Sequence, residues 1–396
     1  MLTCLAYNLN WSFYNFSIII KTPIEIIFLY QIFITKKINL YFVIIISLLA
    51  IWLIAISTSA LIYNEAENNI GATFIDNSNT SYLESFTVFS RYILFFCILP
   101  VLFLHKNDEN FVKKCKLIFE YFFYVNSLLI LLGWIFNLPV FAAYHFKEYA
   151  SLGFDYRFGY KGLIYGINEV TGVYFLGLSY AYREIFVYNN KNKWVLLLLI
   201  LFASMLTGAK GCYLSFFLLS IYYFAKYRFR FFLISIFPIV LVTIYYLIHI
   251  DIIDFVSKSL NISFLGNSTT PNTPIDTLLT FLTSGRNLYI NSNWQFMLNK
   301  WGFFKFIFGD GLLYSETDLF DLYYMFGLGA ILYFYYYRKI IFDNEKSGDI
   351  KYIFFFLMLI AFLGGHIIRS AVIPTFLSIY VISGTKKINS SNSSPI

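Results

Sequence analysis

The chain has 396 residues, of which 59% are hydrophobic, 22% aromatic and only 13% charged. A soluble domain carries about 25% charged residues, so this chain could not cover a water-facing exterior, and it is far too apolar to stay disordered. The formal net charge of +7 goes with no helix-turn-helix or RNA-binding pattern, which sets nucleic acid aside.

Several apolar stretches approach or exceed the roughly 20 residues that span a bilayer as a helix. They are continuous, unlike the alternating ten-residue strands of an outer-membrane barrel. The expectation is an all-α polytopic membrane protein with about 10–12 transmembrane helices, one large external (periplasmic) loop and an interfacial helix. In chain order the spans fall at 2–20, 23–35, 41–62, 86–104, 117–138, 166–187, 194–208, 211–226, 231–250, 321–337, 352–370 and 371–385. This gives an N-terminal bundle over 1–250, the external loop over 251–320, C-terminal helices over 321–385 and a polar tail over 386–396.

The basic residues set the orientation. Lys36-Lys37, Lys106, Lys113, Lys114, Lys116, Lys191, Lys193, Lys226, Arg228, Arg230, Arg338, Lys339, Lys346, Lys351 and Lys386-Lys387 fall on alternate connections. They make up most of the 29 basic residues, so these connections are expected to be cytoplasmic, with the C-terminus inside. The loop 63–85 is external and carries Glu65, Glu67, Asp76 and Glu84 with no base.

Within 251–320, Thr269-Thr270-Pro271-Asn272-Thr273-Pro274 reads as a turn or flexible segment. After it, Trp294, Met297, Leu298, Trp301, Phe304 and Phe308 recur at helical steps. Two Trp among polar residues suit a helix lying in the membrane interface; a helix packed on the bundle would show the same steps. The four cysteines, Cys4, Cys97, Cys115 and Cys212, form no Cys-x-x-Cys pair, so neither a disulfide framework nor a zinc site is expected. The first residues have no positive lead and no A-x-A site, so no removable signal peptide is expected. A composition rich in Ile, Asn, Lys, Phe and Tyr points to an AT-rich, bacterial genome.

Some basic residues defy the positive-inside bias: Lys147, Arg157, Lys161, Lys210, Lys258, Arg286, Lys300, Lys305 and Arg369 fall on the external side. An anionic ligand at the outer face is one reason for such exceptions. Arg157 and Lys161 sit in Tyr156-Arg157-Phe158-Gly159-Tyr160-Lys161-Gly162, just before Asn168-Glu169. An ordinary polar loop would look alike. Lys210 lies in the tight junction Thr207-Gly208-Ala209-Lys210-Gly211, where it suits either a ligand or a snorkelling anchor.

Arg286, in Thr283-Ser284-Gly285-Arg286-Asn287, opens the interfacial helix. Backbone N–H groups and a guanidinium could meet there at one phosphate, or the Arg could simply be solvated. His366 and Arg369 lie three apart near the outer end of a span, which puts them on one helical face. Ionisable groups in a span usually face the bundle interior, and His is the side chain most easily tuned as a base near neutral pH. Glu316, Asp318 and Asp321 precede a span; they could pair with the basic groups, orient a sugar, act as base, or serve a helix N-terminus. No Gly-x-Ser-x-Gly and no Gly-x-x-x-x-Gly-Lys-[Ser/Thr] occurs.

The order Tyr156-Arg157-Phe158-Gly159 … Gly166-Ile167-Asn168-Glu169, Leu206-Thr207-Gly208-Ala209-Lys210-Gly211, Thr283-Ser284-Gly285-Arg286, Phe308-Gly309-Asp310-Gly311 and Glu316-Thr317-Asp318 … Phe326-Gly327-Leu328-Gly329 resembles the Wzy-type O-antigen and capsular polysaccharide polymerases and the related O-antigen ligases. The resemblance covers roughly 150–380. It implies a helical bundle of the bacterial cytoplasmic (inner) membrane that joins oligosaccharide repeat units carried on undecaprenyl diphosphate, needing no metal, cofactor or nucleotide sugar. The implied partners are that lipid-linked oligosaccharide, membrane lipid, a chain-length regulator and a flippase.

The resemblance further implies that Arg157, Arg286 and Arg369, with Lys210, hold the diphosphate and the acceptor. A sugar hydroxyl needs a base, and His366 and Asp318 both qualify. Lys161, Asn168 and Glu316 complete the expected substrate contacts. The chain departs from the family at Ala209-Lys210, where the pattern is Ser-Arg; a lysine is a point charge rather than a fork. It also has Glu316-Thr317-Asp318 where ligases carry a His-Asn pair, which favours polymerase over ligase.

A lipid-linked oligosaccharide flippase or secondary transporter is the other class to weigh. It would place ionisable groups near the midplane in broken helices with repeat symmetry. Here the groups gather at the outer rim and no internal repeat occurs. A membrane anchor or sensor would tolerate loss of Arg157, Arg286 and Arg369.

Overall fold

The computed structural model of the chain describes residues 26–27, 30–31, 34, 39–66, 82–143, 159–164, 166–228, 286–311, 313, 315, 317–344, 348–370 and 372–384. Regular structure among them is helical, apart from one isolated bridge between Ala142 and Tyr160. Among the described residues three helices are long and apolar enough to cross a membrane, over Leu40–Thr58, Ser85–Leu104 and Glu109–Ile135, and the apolar helices Ile350–Leu363 and Ile373–Gly384 are shorter. The spans expected at 2–20 and 231–250 lie outside the described residues, as do the loop residues 251–285. The chain divides into two compact units, Met1–Phe122 with Ser292–Ile396, and Phe123–Asn291.

The helices are α1 (Asn39–Ala66), α2 (Tyr82–Leu104), α3 (Glu109–Ile135), α4 (Ile167–Tyr182), α5 (Trp194–Leu206), α6 (Lys210–Tyr227), α7 (Arg286–Lys300), α8 (Phe303–Phe308), α9 (Asp318–Phe326), α10 (Gly329–Asn344), α11 (Ile350–Gly364) and α12 (Ile373–Gly384). In the first unit α12 packs along α2, and α1 packs on α2, α8 and α9. The seam is aromatic: Phe89 and Tyr92 meet Phe326 edge-on, and Phe95 meets Tyr337 with centroids 4.2 Å apart. Several of its polar groups are paired, as buried polar groups require. The Tyr333 hydroxyl donates to the Tyr92 carbonyl, and the Trp52 indole donates to Ser85, which in turn donates to the Gly311 carbonyl.

Two expected helices are broken. The span 321–337 is divided between α9 and α10 at Gly327, whose φ is +55°. A Cβ at Gly327 would strike the Ile307 carbonyl, so the backbone of α8 comes against it, and Leu328 N–H donates to that carbonyl at 2.8 Å. The helical run through Trp294–Phe308 is likewise divided between α7 and α8 at Trp301-Gly302. Met297 of α7 and Trp301 just after it still bury themselves together, against Tyr324 of α9 and Leu313.

The turn after α8 is locked by an ion pair. Lys305 Nζ lies 2.7 Å from Asp310 Oδ2, and the two side chains are 2% and 0% exposed. The Asp310 and Gly311 N–H groups both donate to the Tyr324 carbonyl in the last turn of α9. One buried pair therefore fixes where α9 ends.

The second unit is built round α4. Glu169 through Tyr182 are all buried, and α5 and α6 pack on the helix. A helix buried on every side suits a sequence that is apolar all round. The chain then continues through a π-turn, Arg183–Val187, with Arg183 and Glu184 both enclosed. Asn126 of α3 ties the unit to the loop before α4: its Oδ1 accepts the Leu163 N–H at 2.7 Å and its amide donates to Tyr174.

Removing one partner of a buried ion pair leaves the other charged and desolvated, at a cost of about 3–5 kcal/mol. Lys305→Met alone should therefore lower the melting temperature in detergent sharply, and adding Asp310→Leu should restore most of it. Equal melting of the single variant and the unaltered chain would remove this role for the pair.

Candidate functional site

The site of the first unit grows from the residues that open α9. Thr317 precedes the helix with extended backbone (φ −118°, ψ 120°), and its side chain does not cap it. Its hydroxyl pairs instead with Ser315 Oγ at 2.6 Å. Asp318 and Asp321 occupy the first turn, where the helix dipole favours negative charge. Asp321 Oδ1 accepts from the Ser315 N–H at 2.6 Å and the Ser315 hydroxyl at 2.9 Å. That closes a tight loop ahead of the helix.

Asp318 reaches a segment distant in sequence. The span expected over 352–370 stops at Gly364: Gly365 has φ +62° and ψ 173°, a region open essentially to glycine, and His366 follows at φ +60°. The break exposes backbone N–H groups that need partners wherever water is scarce. Asp318 Oδ2 accepts the N–H of Ile367 and that of Ile368, the latter at 3.0 Å. Ser370 Oγ then accepts the N–H groups of Val372 and Ile373 and leads the chain into α12.

The turn presents His366 and Arg369 to each other. They do not share a helical face as their spacing suggested; they meet because the turn folds back. Arg369 Nη2 lies 2.7 Å from His366 Nε2, and Arg369 Nη1 lies 3.6 Å from Asp321 Oδ2. A continuous polar chain thus runs Thr317–Ser315–Asp321–Arg369–His366. Asp318 is 0% exposed, Asp321 3% and Arg369 8%. His366 is partly exposed. The accessible end of the site is therefore an imidazole beside a guanidinium.

Burial raises the Asp318 carboxyl above the usual carboxylate range, against the pull of the Ile368 and Ile367 N–H groups and Arg369. Its second oxygen, Oδ1, has no hydrogen-bond partner among the described residues. This carboxylate holds a turn; the imidazole is the group positioned to meet a ligand.

Lys161, Asn168, Lys210 and Arg286 belong to the second unit. Here the structure joins two of the sequence motifs. Tyr160 N–H donates to the Leu206 carbonyl and Lys161 N–H to the Phe141 carbonyl, so the loop 159–164 lies against the α5–α6 junction. Burial lowers the Lys161 ammonium from its ordinary value, and Glu169 opposes that shift. Lys161 is therefore within the electrostatic reach of a carboxylate of its own chain. Asn168 is partly buried in the first turn of α4. Lys210 is the exposed first residue of α6, and Arg286 is a buried residue at the start of α7. Arg157 and Glu316 lie outside the described residues.

Sequence reasoning assigned no place to Ser315 or Thr317, and left Asp321 as one acid among three. The Ser-x-Thr-Asp-x-x-Asp pattern was the available signal. Arg91, within α2, and Arg183, within the π-turn, also escaped it.

Asp318 binds a proton more readily in the folded chain than in the unfolded one. Its contribution to stability therefore falls as pH rises above the ordinary value of 3.8. Melting curves across that range should slope downward more steeply for the unaltered chain than for Asp318→Asn. Parallel curves would contradict this.

Comparison with protein-family models, with curated proteins and with solved structures finds no match to this chain.

Proposed function

We propose that the chain is a multi-pass glycosyltransferase of the bacterial cytoplasmic membrane, a polymerase joining repeat units carried on undecaprenyl diphosphate. In this reading the Lys-rich connections and the C-terminus are cytoplasmic, and the chemistry takes place at the outer face. The observation that carries it is the contact of His366 with Arg369, backed by Asp321. It sets a base and an anion-binding fork side by side in a chain with little other charge.

The chemistry asks for both groups. The acceptor hydroxyl oxygen attacks the anomeric carbon of the donor. The bond from that carbon to the diphosphate breaks, and its electron pair leaves with the diphosphate. The hydroxyl proton passes to His366. Arg369 stabilises charge growing on the leaving group; Arg286, Lys210 and Arg157 remain proposed contacts of the substrate. Asp318 fits a positioning role better than that of base, because one of its oxygens is already engaged by two backbone N–H groups. Lys161, Asn168 and Glu316 remain proposed substrate contacts, and a chain-length regulator and a flippase remain proposed partners.

One observation favours a second reading. The helices are interrupted at Gly327 and Gly365, close in sequence to the ionisable cluster, as in transporters that bind cargo at broken helices. A lipid-linked oligosaccharide transporter is therefore the competing function.

A strain lacking the gene, complemented with the unaltered chain, His366→Ala or Arg286→Ala, separates these readings on a gel of surface glycan. For a polymerase, either variant should abolish the ladder and leave a single capped repeat unit. General-base loss predicts a rate reduced roughly 10²–10⁴-fold. Lipid-linked polymer without capping would mean ligase. Single lipid-linked units held on the cytoplasmic face would mean flippase.

A further inference from the structure

The hydrogen bond between Arg369 and His366 fixes more than proximity. A guanidinium has only donors, so Arg369 Nη2 donates and His366 Nε2 accepts across the 2.7 Å contact. The imidazole therefore carries its proton on Nδ1. The Nε2 lone pair, the one a sugar hydroxyl would need, is occupied. In this arrangement the base is capped.

On its other side Arg369 meets Asp321. Its Nη1 lies 3.6 Å from Asp321 Oδ2, beyond the roughly 2.7–2.9 Å of a close charge-assisted hydrogen bond. Asp321 is itself fixed, because Oδ1 accepts both the N–H and the hydroxyl of Ser315. The carboxylate thus helps set where the guanidinium rests, through a contact longer than a close charge-assisted bond. Asp321, Ser315 and Thr317 are no more than 3% exposed. Arg369 at 8% and the partly exposed His366 are the members a ligand reaches.

We propose that Asp321 is a positioning residue that rests Arg369 on His366, and that a diphosphate group drawing Arg369 onto itself frees the imidazole to act as base. The proposal deepens the glycosyl-transfer reading above and rests on it for the identity of the diphosphate. A diphosphate presents paired anionic oxygens that match the guanidinium fork, whereas a neutral imidazole offers one lone pair. The exchange conserves every proton: Arg369 keeps its own, His366 keeps Nδ1–H, and Nε2 becomes able to take the acceptor's. Donor binding then precedes activation of the acceptor, and the site carries no exposed base while the donor is absent.

The test follows His366 directly. The sequence holds four histidines, so His105, His145 and His249 are replaced by Gln in the full-length chain in detergent, leaving His366. Diethyl pyrocarbonate acylates unprotonated imidazole nitrogens with a free lone pair, and mass spectrometry gives the rate. Inorganic pyrophosphate is the probe anion. Modification should be slow in its absence and several-fold faster in its presence. Arg369→Gln should react fast with or without it. Asp321→Asn should raise the rate without pyrophosphate several-fold, because the guanidinium loses its rest.

A rate that pyrophosphate leaves unchanged or lowers would overturn the capping. An Asp321→Asn rate equal to that of the parent would overturn the positioning role. The assay involves no glycan, so its failure is distinct from failure of the polymerase reading, which the surface-glycan gel decides.

Discussion

The carboxylate of Asp318 accepts the backbone N–H groups of Ile367 and Ile368, and the arrangement around the site follows from those two bonds. An apolar chain cannot interrupt a helix freely, because each interruption releases backbone groups that water would otherwise satisfy. The break after α11 places Gly365 and His366 in left-handed conformations. Such a turn persists only where its surroundings over-determine it. Asp318 supplies that determination from the first turn of α9. Without it, nothing else described would hold the two amides, and His366 and Arg369 would lose their common orientation.

The same economy of charge recurs in each unit. Lys305 meets Asp310 and Arg369 meets Asp321 in the first unit, while in the second the charge of Glu169 acts on Lys161. In low dielectric an uncompensated charge is costly, so buried charges come with partners. The Lys305–Asp310 pair is structural: its bond helps set the end of α9. The Arg369–Asp321 contact differs because its guanidinium also touches an imidazole that is partly exposed. That accessible end is why the proposed chemistry is assigned to it.

Much of the helical pattern was legible in the sequence, for a plain reason. Apolar runs such as 41–62, 86–104 and 352–370 are long enough to announce themselves, and α1, α2 and most of α11 lie where those runs fall. The breaks were not legible. Apolarity continues through Gly327-Leu328, where the α8 backbone at the Ile307 carbonyl and the turn held by Lys305 and Asp310 end α9. The apolar run up to Gly364 does not show that the chain turns at Gly365 rather than continuing as helix. The Glu109–Ile135 helix also begins well before the expected span, because its polar first turns carry no hydropathy signal.

The site was half legible. His366 and Arg369 drew attention as ionisable residues in a span, yet the spacing argument placed them on a helix that does not exist at that point. Asp318 was recognised as an acid near a helix start, but its partners lie about fifty residues away, which no local pattern encodes. Asp321, Ser315 and Thr317 form a network whose logic depends on the fold of the preceding loop.

The most direct measurement reconstitutes the purified chain in liposomes with lipid-diphosphate-linked repeat units and follows product length by mass spectrometry. The account predicts lengthening glycans, release of undecaprenyl diphosphate in step with each addition, and loss of both in His366→Ala. Repeat units that stay single with their lipid diphosphate intact, whether or not they cross the bilayer, would contradict it.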